Sequence, residues 1–224
     1  MILSIETSTT VCSAALHDCG KLVAFDITHV PNSAASQLAV MIDKLIEQSS
    51  VKPEAVAVSS GPGSYTGLRI GVATAKGICY ALSVPLLSVN SLAAMSAKLL
   101  HSTFDIGHFL LCPMIDARRM EVYTALFDDS LKMISPIEAK VVDELSFADQ
   151  LERNKILFFG NGADKCRSVI SHPNGVFVEN IFPSAEYMGA IAFDRFKKNK
   201  FEDVSEFEPA YLKDFIAKKP KSLA

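Results

Sequence analysis

The chain has 224 residues, of which 22 are basic and 25 acidic, so its formal net charge is −3. Hydrophobic residues make up 49% of it, which excludes a disordered chain and leaves room for one large domain or two small ones. The balanced charge argues against a dedicated nucleic-acid-binding protein, because such proteins usually carry a clear excess of basic residues.

The cysteines and the first residues indicate the compartment. The five cysteines are an odd number without a C-x-x-C pair, which favours reduced, buried thiols over a secreted disulfide framework. The segment Met1–Glu6 has no basic lead-in, and Glu6 interrupts its apolar run, so it is predicted to be a strand and not a signal peptide. No stretch reaches the roughly 18 apolar residues of a membrane span. We therefore expect a cytoplasmic protein without a membrane segment.

The first half of the chain predicts the element order βββαβαβα. Its first helix has apolar residues at the i, i+3, i+4, i+7 spacing of one helical face, with Ser33 as the N-cap. The predicted strands are Met1–Thr7, Val11–His17, Leu22–Thr28, Ala55–Ser59 and Pro85–Val89, and the helices begin at Ser33, Gly67 and Ser91.

The second half repeats this order. The predicted strands are Phe109–Ile115, Glu121–Phe127, Met133–Val141, Lys155–Phe159 and Val176–Glu179, and the helices are Glu144–Arg153, Ala163–Ser171 and Ala185–Lys198. The repeat predicts an α/β protein with a duplicated fold: a first lobe of residues 1–102, a second lobe of residues 103–202, and a tail, 203–224, that packs back on the first lobe. This order resembles the ribonuclease-H-like lobes of the actin, Hsp70 and sugar-kinase superfamily. Ligands of such sheets favour the crevice at the carboxyl ends of the strands.

Two turns in the first lobe could hold an anion. The glycine-rich segment Ser59–Gly71 joins a strand to a helix, but it lacks the Gly-Lys-Ser/Thr of a P-loop and the spacing of a dinucleotide fingerprint. The turn after the first strand stands where superfamily kinases have a phosphate loop, Asp-x-Gly-Thr. Here the acid is Glu6 and no glycine follows, so a hydroxyl-rich turn is favoured, with Glu6, Thr7 and Ser8 as candidate contacts in the cleft.

Small residues mark two stripes on the second predicted helix. One stripe consists of Gly67, Gly71, Ala75 and Cys79, and the other of Ala73, Gly77 and Ala81. Such stripes allow another backbone to approach closely. The spacing fits packing inside the chain as well as it fits a subunit interface, and both interpretations stay open at this point.

The remaining candidates are sparse. The five histidines form no His-x-x-x-His or His-Glu-x-x-His pair, so no metal site is indicated. Arg118 and Arg119 follow a strand and could clamp a carboxylate or phosphate, although the spacing alone slightly favours a solvated hairpin tip.

Several motifs together resemble the TsaB (YeaZ) family of bacterial tRNA threonylcarbamoyladenosine synthesis. They are Leu3-Ser4-Ile5-Glu6-Thr7-Ser8-Thr9, the segment 60–71, Ala75-Lys76-Gly77, Asp116-Ala117-Arg118-Arg119-x-Glu121-Val122-Tyr123, Asn161-Gly162-Ala163 and Pro209-x-Tyr211-Leu212. The likeness covers nearly the whole chain.

The resemblance implies an enzyme-like fold without its own catalytic site, a pseudoenzyme. The catalytic relative, the D subunit, carries a metal-binding His-x-x-x-His where this chain has Ser91 and Met95. A hydroxyl and a thioether suit neither iron nor zinc at such a site. The resemblance therefore implies that the chain itself has no catalytic residue, no metal and no bound cofactor, and that any ATP or ADP lies at a partner interface.

The resemblance also implies partners. The family supports the D subunit (TsaD), which transfers a threonylcarbamoyl group to N6 of the adenosine beside the anticodon of ANN-decoding tRNAs, and an ATPase E subunit (TsaE) joins them. Alone, the B subunit forms a homodimer through a surface for which the D subunit competes, and tRNA is reached only through the complex. That interface would fall here on Gly67, Arg69, Ile70, Gly71, Thr74, Ala75, Gly77 and Ile78. The alternatives are a glycoprotease-like peptidase, a small-molecule kinase of the superfamily, and a binding module for an anion held by Arg69, Arg118 and Arg119.

Overall fold

The computed structural model describes residues 1–31, 33–100 and 109–213. Within them, ten strands form two five-stranded sheets. The strands are β1 Ile2–Glu6, β2 Cys12–Asp18, β3 Lys21–Thr28, β4 Ala55–Ser59, β5 Leu86–Val89, β6 Phe109–Asp116, β7 Glu121–Thr124, β8 Glu138–Val141, β9 Lys155–Phe159 and β10 Gly175–Val178. The helices are α1 Ala34–Ser49, α2 Tyr65–Leu82, α3 Ser91–Leu100, α4 Ala148–Arg153, α5 Ala163–Cys166 and α6 Gly189–Lys197, and a 3₁₀ turn, Ala185–Tyr187, precedes α6.

The two sheets have the same topology, which confirms the duplicated α/β fold. The first sheet has the order β3-β2-β1-β4-β5 and the second has β10-β9-β6-β7-β8, so β1 and β6 are equivalent central strands. Each central strand is antiparallel to the strand that follows it and parallel to the partner on its other side. All five residues of β1 and of β4 are buried, as expected for strands covered on both faces.

Helices α1 and α2 cover one face of the first sheet. The predicted apolar face of α1 is confirmed, since Leu38, Met41, Ile42 and Leu45 are buried in the same cluster as β1, β2 and β4. Ser33 stands at the N-cap position, but its side chain makes no capping hydrogen bond. None of the helices in the described ranges is both long enough and apolar enough to cross a bilayer.

The third helix of each half lies against the sheet of the other half. From α3, the side chains of Leu92, Met95 and Leu99 pack with the second sheet. In return, Met188 and Ala192 cover the face of the first sheet that α1 and α2 leave open. The last helix of the expected second lobe, residues 103–202, thus buries its apolar side chains on the first sheet.

The last described residues return to the first sheet. Glu202 bridges to Leu86, and the amide of Ala210 donates to the carbonyl of Ser60 over 2.8 Å. Val204 and Phe207 pack against the core beneath α1 and α2. The rest of the expected tail, residues 214–224, lies outside the described residues.

The second half has shorter elements than its hydrophobic patterns predict. The predicted strand Met133–Val141 is reduced to β8, and the predicted helix Glu144–Arg153 begins only at Ala148. The residue before that helix, Phe147, has a left-handed backbone (φ 66°), which ends the preceding turn and sets the start of α4.

All five cysteines are free thiols, and all except Cys19 are buried. Burial raises the pKa of Cys112 to about 12 and that of Cys12 to about 11. These thiols remain protonated at neutral pH, so they serve as packing groups and not as nucleophiles.

Candidate functional site

The turn after β1 lies beneath the glycine-rich segment. Glu6, Thr7 and Ser8 are all buried, at most 1% exposed. The amide of Ser8 donates to Glu6 Oε1 over 2.6 Å, and the amide of Ser64 donates to the carbonyl of Ser8 over 2.6 Å. The three candidate cleft contacts are therefore covered by the chain itself and do not face the cleft.

Glycine is required where the segment crosses this turn. A Cβ on Gly63 would lie 2.2 Å from the carbonyl oxygen of Ser8, and one on Gly67 would lie 2.1 Å from that of Thr7. Since real Cβ atoms do not approach so closely, only glycine fits at either position. The glycine-rich segment thus packs directly on the turn at Thr7 and Ser8, which leaves no room for a phosphate between them.

Glu6 is a buried acid with an incomplete set of partners. Burial raises the pKa of its carboxyl above the ordinary 4.5, and hydrogen bonding from Ser8 opposes the rise. Within the described ranges, Oε2 of Glu6 and the hydroxyls of Thr7 and Ser8 find no hydrogen-bond partner. Such a carboxyl retains its proton to a higher pH than an exposed glutamate does.

The predicted interface on α2 divides into two parts. Gly67, Gly71 and Ala75 are buried against the first lobe, which favours internal packing for this stripe. The physical reason is the close approach of α2 to the turn at Thr7, described above. The rest of the predicted residues lie elsewhere on the helix: Arg69 and Gly77 are exposed, and Ile70, Thr74 and Ile78 are partly exposed.

The second small stripe forms an exposed surface. Ala73, Gly77 and Ala81 are all exposed, and a Cβ on Gly77 would meet nothing within 4 Å. Tyr80 beside them is 86% exposed. We call Ile70, Ala73, Gly77, Tyr80 and Ala81 the outer face of α2. It combines a flat backbone with an aromatic side chain that the chain leaves in solvent.

The two residues that the resemblance aligns with the metal-binding histidines of the D subunit, Ser91 and Met95, are core residues of this chain. Ser91 and Met95 are fully buried, and Met95 Cε would lie 2.8 Å from a Cβ on Gly160. Asn90 caps α3, because its Oδ1 accepts from the amide of Ala93 over 3.0 Å. Among the described residues there is no group of three or more histidine, cysteine or acidic side chains that could hold a metal ion.

The turn between β6 and β7 presents two arginines. Arg118 and Arg119 both have left-handed backbones, with φ of 72° and 47°, and both are exposed. The amide of Ala117 donates to the carbonyl of Glu121 over 3.0 Å, which closes the turn. Neither guanidinium has a hydrogen-bond or ion-pair partner in the part of the chain that the structure describes.

A polar cavity of about 360 Å³ lies at the carboxyl ends of β9 and β10. Its arginine, Arg167, is already paired with Glu179 (2.9 Å) and stands 5.1 Å over the ring of Phe177. Asp164 adds a further negative charge to the lining. With two carboxylates and a single arginine that is already paired, this lining does not fit a triphosphate. Sequence reasoning placed a ligand crevice at the strand ends but did not find this cavity. Its one visible signal is Gly160, whose φ of +108° turns the chain there.

Comparison with known proteins identifies the family. The family model described as "TsaD: tRNA N6-adenosine threonylcarbamoyltransferase" matches residues 30–223. The Bacillus subtilis "tRNA threonylcarbamoyladenosine biosynthesis protein TsaB" is 30% identical over 223 residues, which are 95% of this chain and 93% of the relative. The chain belongs to the TsaB (YeaZ) family.

Other relatives agree with this assignment. The Escherichia coli TsaB protein is 28% identical over 96% of each chain. The solved structure of YeaZ from Pseudomonas aeruginosa superposes with a TM-score of 0.80 at 23% identity, over 94% of this chain and 99% of that one, and so shares the fold. Two exposed features of the described structure remain to be explained, the outer face of α2 and the two arginines at the β6–β7 turn.

Proposed function

We propose that this chain is a non-catalytic accessory subunit of tRNA threonylcarbamoyladenosine biosynthesis. It would act with a catalytic D subunit (TsaD) and an ATPase E subunit (TsaE) in the cytoplasm. The carrying observation is that the two positions of the catalytic relative's histidines hold Ser91 and Met95, both fully buried in the core. Neither side chain has the donor chemistry or the access that a catalytic metal needs.

The outer face of α2 is the proposed docking surface for the D subunit, and for a second copy of the chain when the D subunit is absent. At Gly77 nothing stands above the helix backbone, so a partner helix can approach it closely. Tyr80 supplies a large aromatic group of the kind that anchors interfaces. The buried stripe at Gly67 and Gly71 holds α2 in place on its own lobe.

Nucleotide binding is proposed only for the assembled complex. The glycine-rich segment is occupied by the turn at Ser8, and the polar cavity at β9 and β10 carries more acidic than free basic groups. An ATP or ADP at a partner interface would therefore need phosphate-binding residues from the partner.

Reconstitution of the modification reaction tests this role. Purified D and E subunits are supplied with threonylcarbamoyl-adenylate, ATP and an ANN-decoding tRNA, with and without this chain. We expect modified adenosine to form only with the chain present, and no product from the chain alone. Product from the chain alone, or full activity without it, would overturn the proposal.

A matched pair of variants tests the docking surface. Gly77→Leu adds bulk to the outer face of α2 and is expected to abolish co-purification with the D subunit, while Gly77→Ala keeps the surface nearly flat and retains it. Both variants should fold, because a side chain at Gly77 meets no neighbour. If Gly77→Leu binds the D subunit as wild type does, the docking surface lies elsewhere.

A further inference from the structure

The two arginines at the β6–β7 turn are placed there against the local preference of the backbone. Left-handed backbone costs a residue with a side chain about 1–2 kcal/mol. Residues at positive φ are normally Gly, Asn or Asp, which tolerate this conformation best. The three-residue loop between the paired residues Ala117 and Glu121 instead has Arg118 and Arg119 at positive φ, and no internal bond holds their guanidinium groups in the described structure. Backbone strain at residues whose side chains make no internal bond is a reason to look for a ligand.

The acidic side chains of this turn are already neutralised. The carboxylate of Asp116 forms an ion pair with Lys165, whose ammonium also donates to the carbonyl of Glu121 over 2.7 Å. The carboxylate of Glu121 forms an ion pair with Lys213. With both carboxylates paired, the charges of Arg118 and Arg119 are left uncompensated at this tip.

A row of aromatic rings and cations connects this tip to the first lobe. Lys213 stands 5.8 Å over the ring of Tyr123. Two residues earlier, Tyr211 packs on Tyr65 with ring centroids 4.7 Å apart. The guanidinium of Arg69 lies 5.3 Å from the centre of the Tyr65 ring and donates to the Tyr65 hydroxyl over 2.8 Å. The row crosses from α2 to β7, and so spans both halves of the molecule.

Alternating cations and aromatic rings suit an RNA backbone better than an acidic protein surface. Guanidinium groups bind phosphate oxygens in a bidentate manner, and aromatic rings stack on bases of any sequence. We propose that Arg118 and Arg119 bind phosphates of the tRNA directly, and that the Tyr65–Tyr211 pair offers an aromatic surface to its bases. The proposal rests on the proposed function. It replaces the expectation that tRNA is reached only through the partners, since a net charge of −3 does not preclude a local positive tip.

Fluorescence anisotropy with a labelled ANN-decoding tRNA transcript, titrated with the full chain at 50 and 200 mM salt, tests the proposal. Arg118→Gln with Arg119→Gln is expected to weaken binding about tenfold at low salt and to lower the salt slope by about 2, near 1 per phosphate contact. The control, Lys132→Gln with Arg153→Gln, removes the same charge from exposed positions elsewhere on the second sheet's side.

A second variant separates binding from folding. Arg118→Asn with Arg119→Gly places residues that tolerate positive φ at both positions, so it is expected to unfold at a higher temperature and still lose the same affinity. Absence of RNA binding by the wild type at 50 mM salt, or an unchanged slope in the arginine variants, would overturn the proposal. Loss of D- or E-subunit binding by these variants with RNA affinity unchanged would overturn it too, in favour of a protein contact. If any of these outcomes occurs while the wild-type chain still supports tRNA modification by the D and E subunits, only the RNA-binding proposal fails and the proposed function stands.

Discussion

The hydroxyl of Thr7 lies where a side chain of Gly71 would be. A Cβ built on Gly71 would stand 2.3 Å from Thr7 Oγ1 and 3.4 Å from its Cβ. Four residues earlier, a Cβ on Gly67 would lie 2.1 Å from the carbonyl oxygen of Thr7. One buried turn therefore determines which small residues of α2 are structural, and the stripe at Gly77 lies outside its contacts.

Substitution at Gly71 should destabilise the chain itself. Gly71→Leu forces its side chain into Thr7, and overpacking of this kind costs about 1–3 kcal/mol. The urea unfolding midpoint of this variant should fall well below that of wild type. Gly77→Ala is the control, and its midpoint should rise, because alanine is favoured over glycine in a helix by up to about 1 kcal/mol. Equal midpoints for Gly71→Leu and wild type would contradict the packing described here.

Tyr80 should contribute to association and not to folding. Its side chain is 86% exposed, so Tyr80→Ala should leave the unfolding free energy within about 0.5 kcal/mol of wild type. Loss of an aromatic anchor typically costs 2 kcal/mol or more, which is roughly a 30-fold weaker complex with the D subunit by calorimetry. Leu145→Ala is the matched control, since Leu145 is 81% exposed on the other half of the molecule. Equal effects of the two variants on affinity would argue against the outer face of α2.

Glu6→Gln should stabilise the chain at neutral and alkaline pH. Burial raises the folded-state pKa of Glu6, so the folded chain holds its proton more tightly and loses stability as pH rises above the ordinary value of 4.5. Glutamine keeps an oxygen that can accept from the Ser8 amide but cannot ionise. Urea unfolding should show Glu6→Gln above wild type at pH 8, with the gap closing towards pH 4. A gap that stays constant with pH would mean that ionisation of Glu6 is not the cause.

His17 should make the chain less stable in acid. Its Nε2 donates to the carbonyl of Glu186 over 3.0 Å, and its Nδ1 lies 3.1 Å from the hydroxyl of Ser4. Burial lowers the pKa of this imidazole below 6.5, so the unfolded chain takes up a proton before the folded chain does. The stabilisation that neutral His17 gives to the folded chain is complete above pH 6.5. It is lost as the pH falls from there through the lowered folded-state pKa of His17.

The pH dependence can be assigned by substitution. The unfolding midpoint should decrease between pH 7.5 and 5.5 in wild type and change less in His17→Gln. His29→Gln, at an exposed histidine, should retain the wild-type dependence. A wild-type midpoint that rises towards pH 5.5 would show that other groups dominate this range.

The sequence predicted the features that depend on local pattern. The element order and the buried face of α1 at Leu38 and Met41 follow from hydrophobic periodicity, and both are confirmed. The direction of the stripe at Gly67 could not be predicted, because spacing alone does not say whether the close neighbour is Thr7 or another chain. The exchange of α3 and α6 between the sheets depends on contacts between distant parts of the chain, such as Ala192 with Ile2. No local pattern encodes these contacts.

That exchange has a consequence for synthesis on the ribosome. The first strand to be made, β1, has one face covered by Met188 and Ala192, near the end of the chain. Until those residues emerge, Ile2, Ala55 and their neighbours have no cover on that side. The first half therefore cannot bury this face before residues 188–192 have been made, and contacts over so long a stretch of chain form slowly. Until then the nascent protein presents an apolar sheet face of the kind that favours aggregation.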